Sequence, residues 1–462
     1  MSDIKHNEKL ETEVFFDNVR EKANKAIIEA LDAHDIAAAY ELINSLHSAD
    51  LADLLDKLSK DERERLFDLI RDSIDPLLLA EIRNVSIKED IIKYLGSKKI
   101  AELICLLEMD DTVSVLVDLD ESLKSSIIFH LDDSKKKDLE ELLSYPENSV
   151  GRIMHKNFVV APEHWTVGET IDHIRKKNDL PRDFYKIFVI DTKYKPIAFV
   201  MLGTLMHHSN NKLIKDVMET DLKVISTDLD QEEMSFFFKQ YGYVSLPVVS
   251  KTGRLLGAVT IDDAVEVIEK EAAEDIMHMG GINESDIHLN VLDIVISRFP
   301  WLFINLLTAS IVALVIKFFE GTIQNIIVLA TLMPVVASLG GNAGTQTMTV
   351  SVVGLVSKDL TALNYLRVIL RQISACALNG LLMAVIGGIM IYLWNQDIYL
   401  SLIFALSIIV NFSLAGLFGS SIPILIHRIG LDPAIASPIF LTTLTDIFGF
   451  LTFLGLATLF LL

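Results

Sequence analysis

The pattern of apolar positions in this chain changes character twice, near residue 150 and near residue 290. Up to about residue 150 the apolar residues recur at helical spacing, as in amphipathic helices packed on one another. From about 151 to 270 short strands alternate with helices. Val224-Ile225-Ser226 reads as a strand and 231–241 as a helix. Leu246–Val249 and Leu255–Thr260 read as strands around a Thr252-Gly253 turn, and a helix begins near Asp262. An earlier copy of this unit starts at Gly151-Arg152-Ile153-Met154 and has its strand at Ile187–Ile190. Beyond residue 290 come five apolar stretches, approximately 295–318, 326–356, 364–394, 399–427 and 434–462. Each is long enough to cross a bilayer, which takes about 20 residues.

The helical region carries a weak internal repeat. Ala52-Asp53-Leu54-Leu55-Asp56-Lys57-Leu58 recurs as Ala101-Glu102-Leu103-Ile104-Cys105-Leu106-Leu107, and acidic pairs follow, Asp61-Glu62 and Asp110-Asp111. Stacked helix pairs of solenoid type and chance similarity among amphipathic helices both account for it.

Charge sharpens this division. From Val291 onward the chain has six basic and six acidic residues, so residues 1–290 carry the whole net charge of -22. An acidic soluble half disfavours nucleic acid and anionic lipid surfaces and favours cations. Cys105 and Cys376 are the only cysteines and fall in different halves, which leaves no disulfide framework or CxxC metal site. The segment 1–20 has no apolar core of signal-peptide type, so the membrane half is expected to direct its own insertion. Lys358, Arg367 and Arg371 lie between the second and third spans, and His427 and Arg428 between the fourth and fifth. Trp394-Asn395-Gln396-Asp397 has no basic residue. The basic bias predicts a cytoplasmic N-terminal half and an outside C-terminus in a multi-pass protein of the cell membrane.

The second span is unusual for a helix facing lipid. Pro334, Ser338, Asn342 and Gln346 recur every four residues and make one polar stripe, interrupted by Gly340-Gly341 and Gly344. Polar groups at that depth face a bundle interior or a water-filled path, and proline and glycines are expected to expose carbonyls there. Close helix packing through small residues is the other reading; it accounts for the glycines but not for an amide stripe of this length. Gln372, Cys376 and Asn379 share a face of the third span, and Ser407 and Asn411 one of the fourth. On the fifth, Thr442 and Asp446 are four apart, with Thr443 and Thr445 beside them. Asp446 is the only acid well inside a span, with no lysine or arginine placed at its depth. A cation can supply the missing charge. An oxygen-rich ligand set suits a hard ion such as Mg²⁺, held largely hydrated, more than Zn²⁺ or Cu⁺.

The linking helix is strongly acidic. Asp262, Glu266 and Glu269 fall on one side, and Glu271, Glu274 and Asp275 on another, with Asp263 in the first turn. A solvated charged helix and a cation-bridged one both fit. No P-loop or nucleophile constellation is present, so no enzyme is expected.

The alternating region resembles a tandem pair of CBS modules, most clearly in Gly257-Ala258-Val259-Thr260-Ile261-Asp262-Asp263. The resemblance implies that Thr260 and Asp263 contact ATP, while Thr260 capping the helix with Asp263 in its first turn is the local alternative. The first copy ends Ala198–Thr204 without the acid. The whole chain is similar to the MgtE family of magnesium channels or transporters. The most specific elements are Pro334 through Gln346, with Gly340-Gly341-Asn342 at its centre, and Leu431-Asp432-Pro433 followed by Thr442–Asp446. The resemblance divides the chain into an N-domain at 1–150, CBS modules at 151–214 and 215–261, a connecting helix at 262–290 and a membrane domain at 291–462. It implies a homodimer in which Asp446 holds hydrated Mg²⁺ on the two-fold axis, with Asn342 nearby and Gln346, Ser338, Thr442, Thr443 and Gln372 along the path. Mn²⁺, Co²⁺ or Ca²⁺ would be substitutes. It also implies that cytoplasmic Mg²⁺, bound among CBS and connecting-helix carboxylates, closes the pore; the acidic pairs Asp61-Glu62 and Asp110-Asp111 are further candidate ligands of regulatory metal. Two departures stand out: Gln372 where many members carry glutamate, and Gly354 where an arginine is frequent. A non-conducting membrane sensor of metal or adenine nucleotide is the rival class.

Overall fold

The computed structural model describes residues 22–31, 33, 35–117, 119–177, 180–181, 184–282 and 291–462. The segment 1–20, read above as lacking a signal peptide, and the last residues of the connecting segment, 283–290, lie outside the described residues. The chain forms two compact units, 1–269 and 270–462.

Among the described residues of the first unit, 22–31 are helical, and nine short helices follow: α1 (Ile36–Asn44), α2 (Ser48–Lys57), α3 (Lys60–Ile70), α4 (Leu77–Glu81), α5 (Val85–Leu95), α6 (Ser97–Ile104), α7 (Met109–Val117), α8 (Glu121–His130) and α9 (Asp133–Leu143). Their ends follow the capping residues. Ser59 and Glu62 form a reciprocal box at the start of α3, and the Asn84 and Asp132 side chains accept amides at the starts of α5 and α9. The sequence repeat coincides with two helix pairs, α2–α3 and α6–α7. Leu54 and Leu55 of one copy and Leu103 and Ile104 of the other enter a single core, each contributing about 1.5–3 kcal/mol by burial.

Two α/β modules follow. The first has β1 (Val160–Pro162), β2 (Lys186–Ile190) and β3 (Pro196–Met201), with α11 (Val167–Lys176) and α12 (Leu202–His207) after the one-turn α10 (Val150–Ile153). The second has β4 (Ile225–Ser226), β5 (Ser245–Val249) and β6 (Leu255–Thr260), with α13 (Gln231–Tyr241) between β4 and β5. In each sheet the first pair is parallel and the second antiparallel. Gly242, at φ 65°, ends α13, and Gly253, at φ 81°, makes the β5–β6 turn. The segment before the first module is bound to the second: the amides of Val150 and Gly151 donate to the carbonyls of Leu229 and Thr227, and His155 and Ala258 exchange backbone hydrogen bonds. A Cβ at Gly257 would lie 2.8 Å from the His155 carbonyl, so glycine permits this approach. It also fixes where the His155 side chain stands. The long helix α14 (Ile261–Met279) leaves β6 and runs into the second unit.

The second unit holds five helices long and apolar enough to cross a membrane. They are α15 (Val291–Phe318), α17 (Val328–Val356), α18 (Tyr365–Asn395), α19 (Ile398–Arg428) and α20 (Pro433–Leu461), with the short α16 (Glu320–Asn325) after the first. The fourth, α19, is the most buried and the first, α15, the least. α19 packs on α17, α18 and α20, and α15 packs on α20.

Candidate ion pathway and acidic cluster

α17 is helical from Val328 to Val356 without a break. The expectation that Pro334 and the glycines open its backbone is therefore corrected: the freed space is filled by neighbouring helices. Asn411 of α19 is buried and donates through Nδ2 to the carbonyl of Val336 at 2.9 Å. A Cβ at Gly340 would stand 2.3 Å from that nitrogen, and one at Gly449 2.9 Å. Gly419 presses on the carbonyl of Gly344, where a Cβ would sit at 2.6 Å. The glycine face of the motif is thus close helix packing.

The opposite face is different. Pro334, Ser338, Asn342 and Gln346 are all exposed on the protomer, with Thr345 beside them. On α18, by contrast, the exposed side chains include Leu378, Leu381, Leu382, Val385 and Ile386, as lipid requires. The motif therefore turns its glycines inward and its amides outward. On α20, which packs against α17, Thr442 is exposed and Thr443 and Asp446 are half-buried. The hydroxyls of Thr442 and Thr443 donate to carbonyls one turn back, at 3.0 and 2.7 Å, which leaves their lone pairs as acceptors. Among the described residues no ion pair engages Asp446. Gln372 is half-buried, and its carbonyl lies 3.0 Å from the position of a Cβ at Gly416 of α19. Cys376, one turn on, is buried and within 3.3 Å of the Thr347 hydroxyl.

In the first unit three segments bring acids to one histidine. Nδ1 of His155 lies 3.1 Å from Glu108 Oε2 and 3.2 Å from Asp110 Oδ1, and Nε2 lies 3.0 Å from Asp263 Oδ2. With carboxylates on both nitrogens, the ring must donate twice, as imidazolium. Burial works against that charge, but hydrogen bonds with Asp110, Asp263 and Glu108 outweigh it and hold His155 well above the ordinary histidine range. Asp111 is pushed up to about 7, by burial first and then by Asp110 and Glu108. One ligand atom each from Glu108, Asp110 and His155 fall within 4.8 Å of one another; as imidazolium His155 has no lone pair for a metal, so it serves there as a built-in cation that a metal ion would have to displace.

The two acidic pairs of the repeat therefore differ. Glu62 is engaged by Ser59 in its helix cap, whereas Asp110 and Asp111 enter the cluster. Thr260 donates from its amide and its hydroxyl to Asp263, at 2.7 and 2.9 Å, so the carboxylate covers the free amide at the helix start, the reciprocal half of a capping box. Along α14, Asp262, Glu266 and Glu269 are exposed, while Glu271, Glu274 and Asp275 are half-buried. Glu269 meets Arg83 at 3.3 Å in an exposed pair, worth little on its own. Asp275 is pushed up to about 6, by burial and then by Asp432 and Glu271. Glu108, His155 and His278 escaped the sequence reading. Only proximity to acidic positions could have marked them, because the partners are distant in the chain.

Residues 333–456 match the family model MgtE, a divalent cation transporter. Residues 46–148 match the MgtE intracellular N domain, and 150–211 and 214–270 the CBS domain. The chain is 27% identical over 446 residues to the magnesium transporter MgtE of Bacillus subtilis, covering 94% of this chain and 93% of that protein. It is 28% identical over 450 residues to the magnesium transporter MgtE of Thermus thermophilus, covering 96% and 99%. Among solved structures it is similar to the cytosolic domain of the Mg²⁺ channel MgtE in complex with ATP, at 26% identity and a TM-score of 0.49, covering 53% of this chain and 99% of that one. With these three models in unbroken order along it, the chain belongs to the MgtE family of divalent cation transporters.

Proposed function

We propose that this chain admits Mg²⁺ through the cell membrane as a homodimer, with its N-terminal half in the cytoplasm and its C-terminus outside. The exposed amide face of α17 carries the reading. Ser338, Asn342 and Gln346 stand on the outside of a single bundle, where hydrocarbon would leave their hydrogen-bonding groups unsatisfied. A second copy across a water-filled two-fold path satisfies them. Such a path brings Thr442 and Asp446 of both chains to one axis, where a hydrated Mg²⁺ is held by two carboxylates and by amide and hydroxyl oxygens. Mn²⁺, Co²⁺ and Ca²⁺ meet the same oxygen ligands and are expected to compete.

The acids of the soluble half act as the sensor. Cytosolic Mg²⁺ bound among Asp110, Asp111 and the acids of α14 offsets their repulsion and favours closure; when Mg²⁺ falls, repulsion favours opening. The Thr260–Asp263 cap does not favour an adenine nucleotide over a metal as the regulator. Liposomes containing only this protein test the proposal. Mg²⁺ influx that disappears in Asp446→Asn is the expected result. Mg²⁺ binding without flux in the parent would instead identify a non-conducting sensor.

A further inference from the structure

The C-terminal end of α14 meets the bundle through a buried histidine. The helix ends in a left-handed cap: Ile282 donates to the carbonyl of Met277 and Gly281 to that of His278, with Gly281 at φ 73°. In its last turn His278 is 7% exposed. Its Nδ1 lies 2.8 Å from Asp432 Oδ2, and its Nε2 lies 3.7 Å from Glu274, one turn earlier. Met279 packs against Met348 and Val352 of α17 and Ala434 and Leu441 of α20. The other oxygen of Asp432 accepts the Ala434 amide at 2.7 Å and caps α20, with Pro433 in the first turn. One carboxylate therefore holds both the end of the connecting helix and the start of the helix that carries Asp446. Around it Glu271, Glu274 and Asp275 add negative charge, so without the imidazole this contact would be between like charges.

We propose that His278 is the positioning residue through which the connecting helix holds the start of the fifth span. The inference deepens the gating reading and rests on it in one respect, that closure is driven by cytosolic Mg²⁺. When α14 is docked, the His278–Asp432 hydrogen bond fixes the first turn of α20. When α14 leaves, Asp432 keeps only its cap, and that turn is free to shift.

The full-length protein in liposomes tests this, with internal Mg²⁺ titrated against influx. His278→Ala is expected to raise the internal Mg²⁺ needed for half-inhibition about tenfold, the factor for losing one charge-assisted hydrogen bond, with influx at low internal Mg²⁺ unchanged. His278→Asn, which places an amide donor where Nδ1 stands, is expected to restore most of the parental midpoint and serves if the alanine variant does not fold. Asp432→Ser keeps a capping oxygen but cannot reach the imidazole, so His278→Ala made on that background is expected to add little. A parental midpoint in His278→Ala, or an undiminished effect of it on the Asp432→Ser background, overturns the inference. A parent that internal Mg²⁺ does not inhibit overturns the gating reading instead. In that case amide exchange over 433–440 decides the contact: faster exchange in His278→Ala supports it, and equal exchange refutes it.

Discussion

In the soluble half, Asp110 and Asp263 lie within 3.2 Å of an imidazolium, whereas Asp446 in the membrane half has no ion pair among the described residues. The first group of acids is thus partly compensated by a cation built into the chain. In the second, an incoming ion has to supply all of the compensation. A site of the first kind responds to added metal in a graded way, because His155 already offsets part of the repulsion. A site of the second kind depends wholly on the ion, and under the proposed function its carboxylate decides whether a divalent cation passes. On the proposed function the two halves use the same chemistry for different ends, sensing in one and passage in the other.

The sharpest break of this comparison is Asp446→Asn. Volume and hydrogen-bonding capacity are kept and both charges on the axis are lost, so Mg²⁺ influx should vanish while a folded dimer remains. Parental flux in such a dimer, measured with a Mg²⁺ dye in liposomes, would falsify the pathway. A second, smaller effect belongs to the connecting helix. Neutralising Glu269, Glu271, Glu274 and Asp275 together should raise the internal Mg²⁺ needed for inhibition about tenfold, within the range of coupling between sites. Unchanged inhibition would remove α14 from the gate.

The third effect is on pH dependence. The folded-state value of Asp111 is raised to about 7, against about 4 in an unfolded chain. Its contribution to stability is therefore full below about pH 4 and is lost as pH rises through about 7. Mg²⁺ should accordingly raise the melting temperature of the soluble half more at pH 8 than at pH 5.5, and Asp111→Asn should flatten that difference. Equal stabilisation at both pH values in the parent would show that Asp111 is not among the sensing acids. The smallest effect is expected from Gln372→Glu. It adds a charge to a half-buried position and should change apparent Mg²⁺ affinity about threefold, since on the proposed reading that charge faces a water-filled path and acts through a screened field. Identical flux and metal binding would make Gln372 a packing residue.

Much of the architecture was readable from local patterns. Five apolar runs of membrane length have one stable solution in lipid, the helix, and each became one. The strands flanking Thr252-Gly253 follow from residues a few positions apart. The polar stripe from Pro334 to Gln346 was likewise legible, because a spacing of four places residues on one face whatever surrounds them. Its backbone was misjudged: proline and glycine suggested an opened helix, and only the packing of Asn411 against Gly340 and Gly449 shows what the missing side chains make room for.

What the sequence by itself determined is therefore everything carried by short range: span number, strand pairs, caps, the faces of helices and the separation of charge into one half. Tertiary structure alone decided which polar groups meet. Glu108, His155 and Asp263 are separated by 47 and 108 residues, and His278 and Asp432 by 154. No periodicity links such positions, because side chains that far apart in the chain become neighbours only when the intervening segments pack. Their hydrogen bonds are a consequence of that packing.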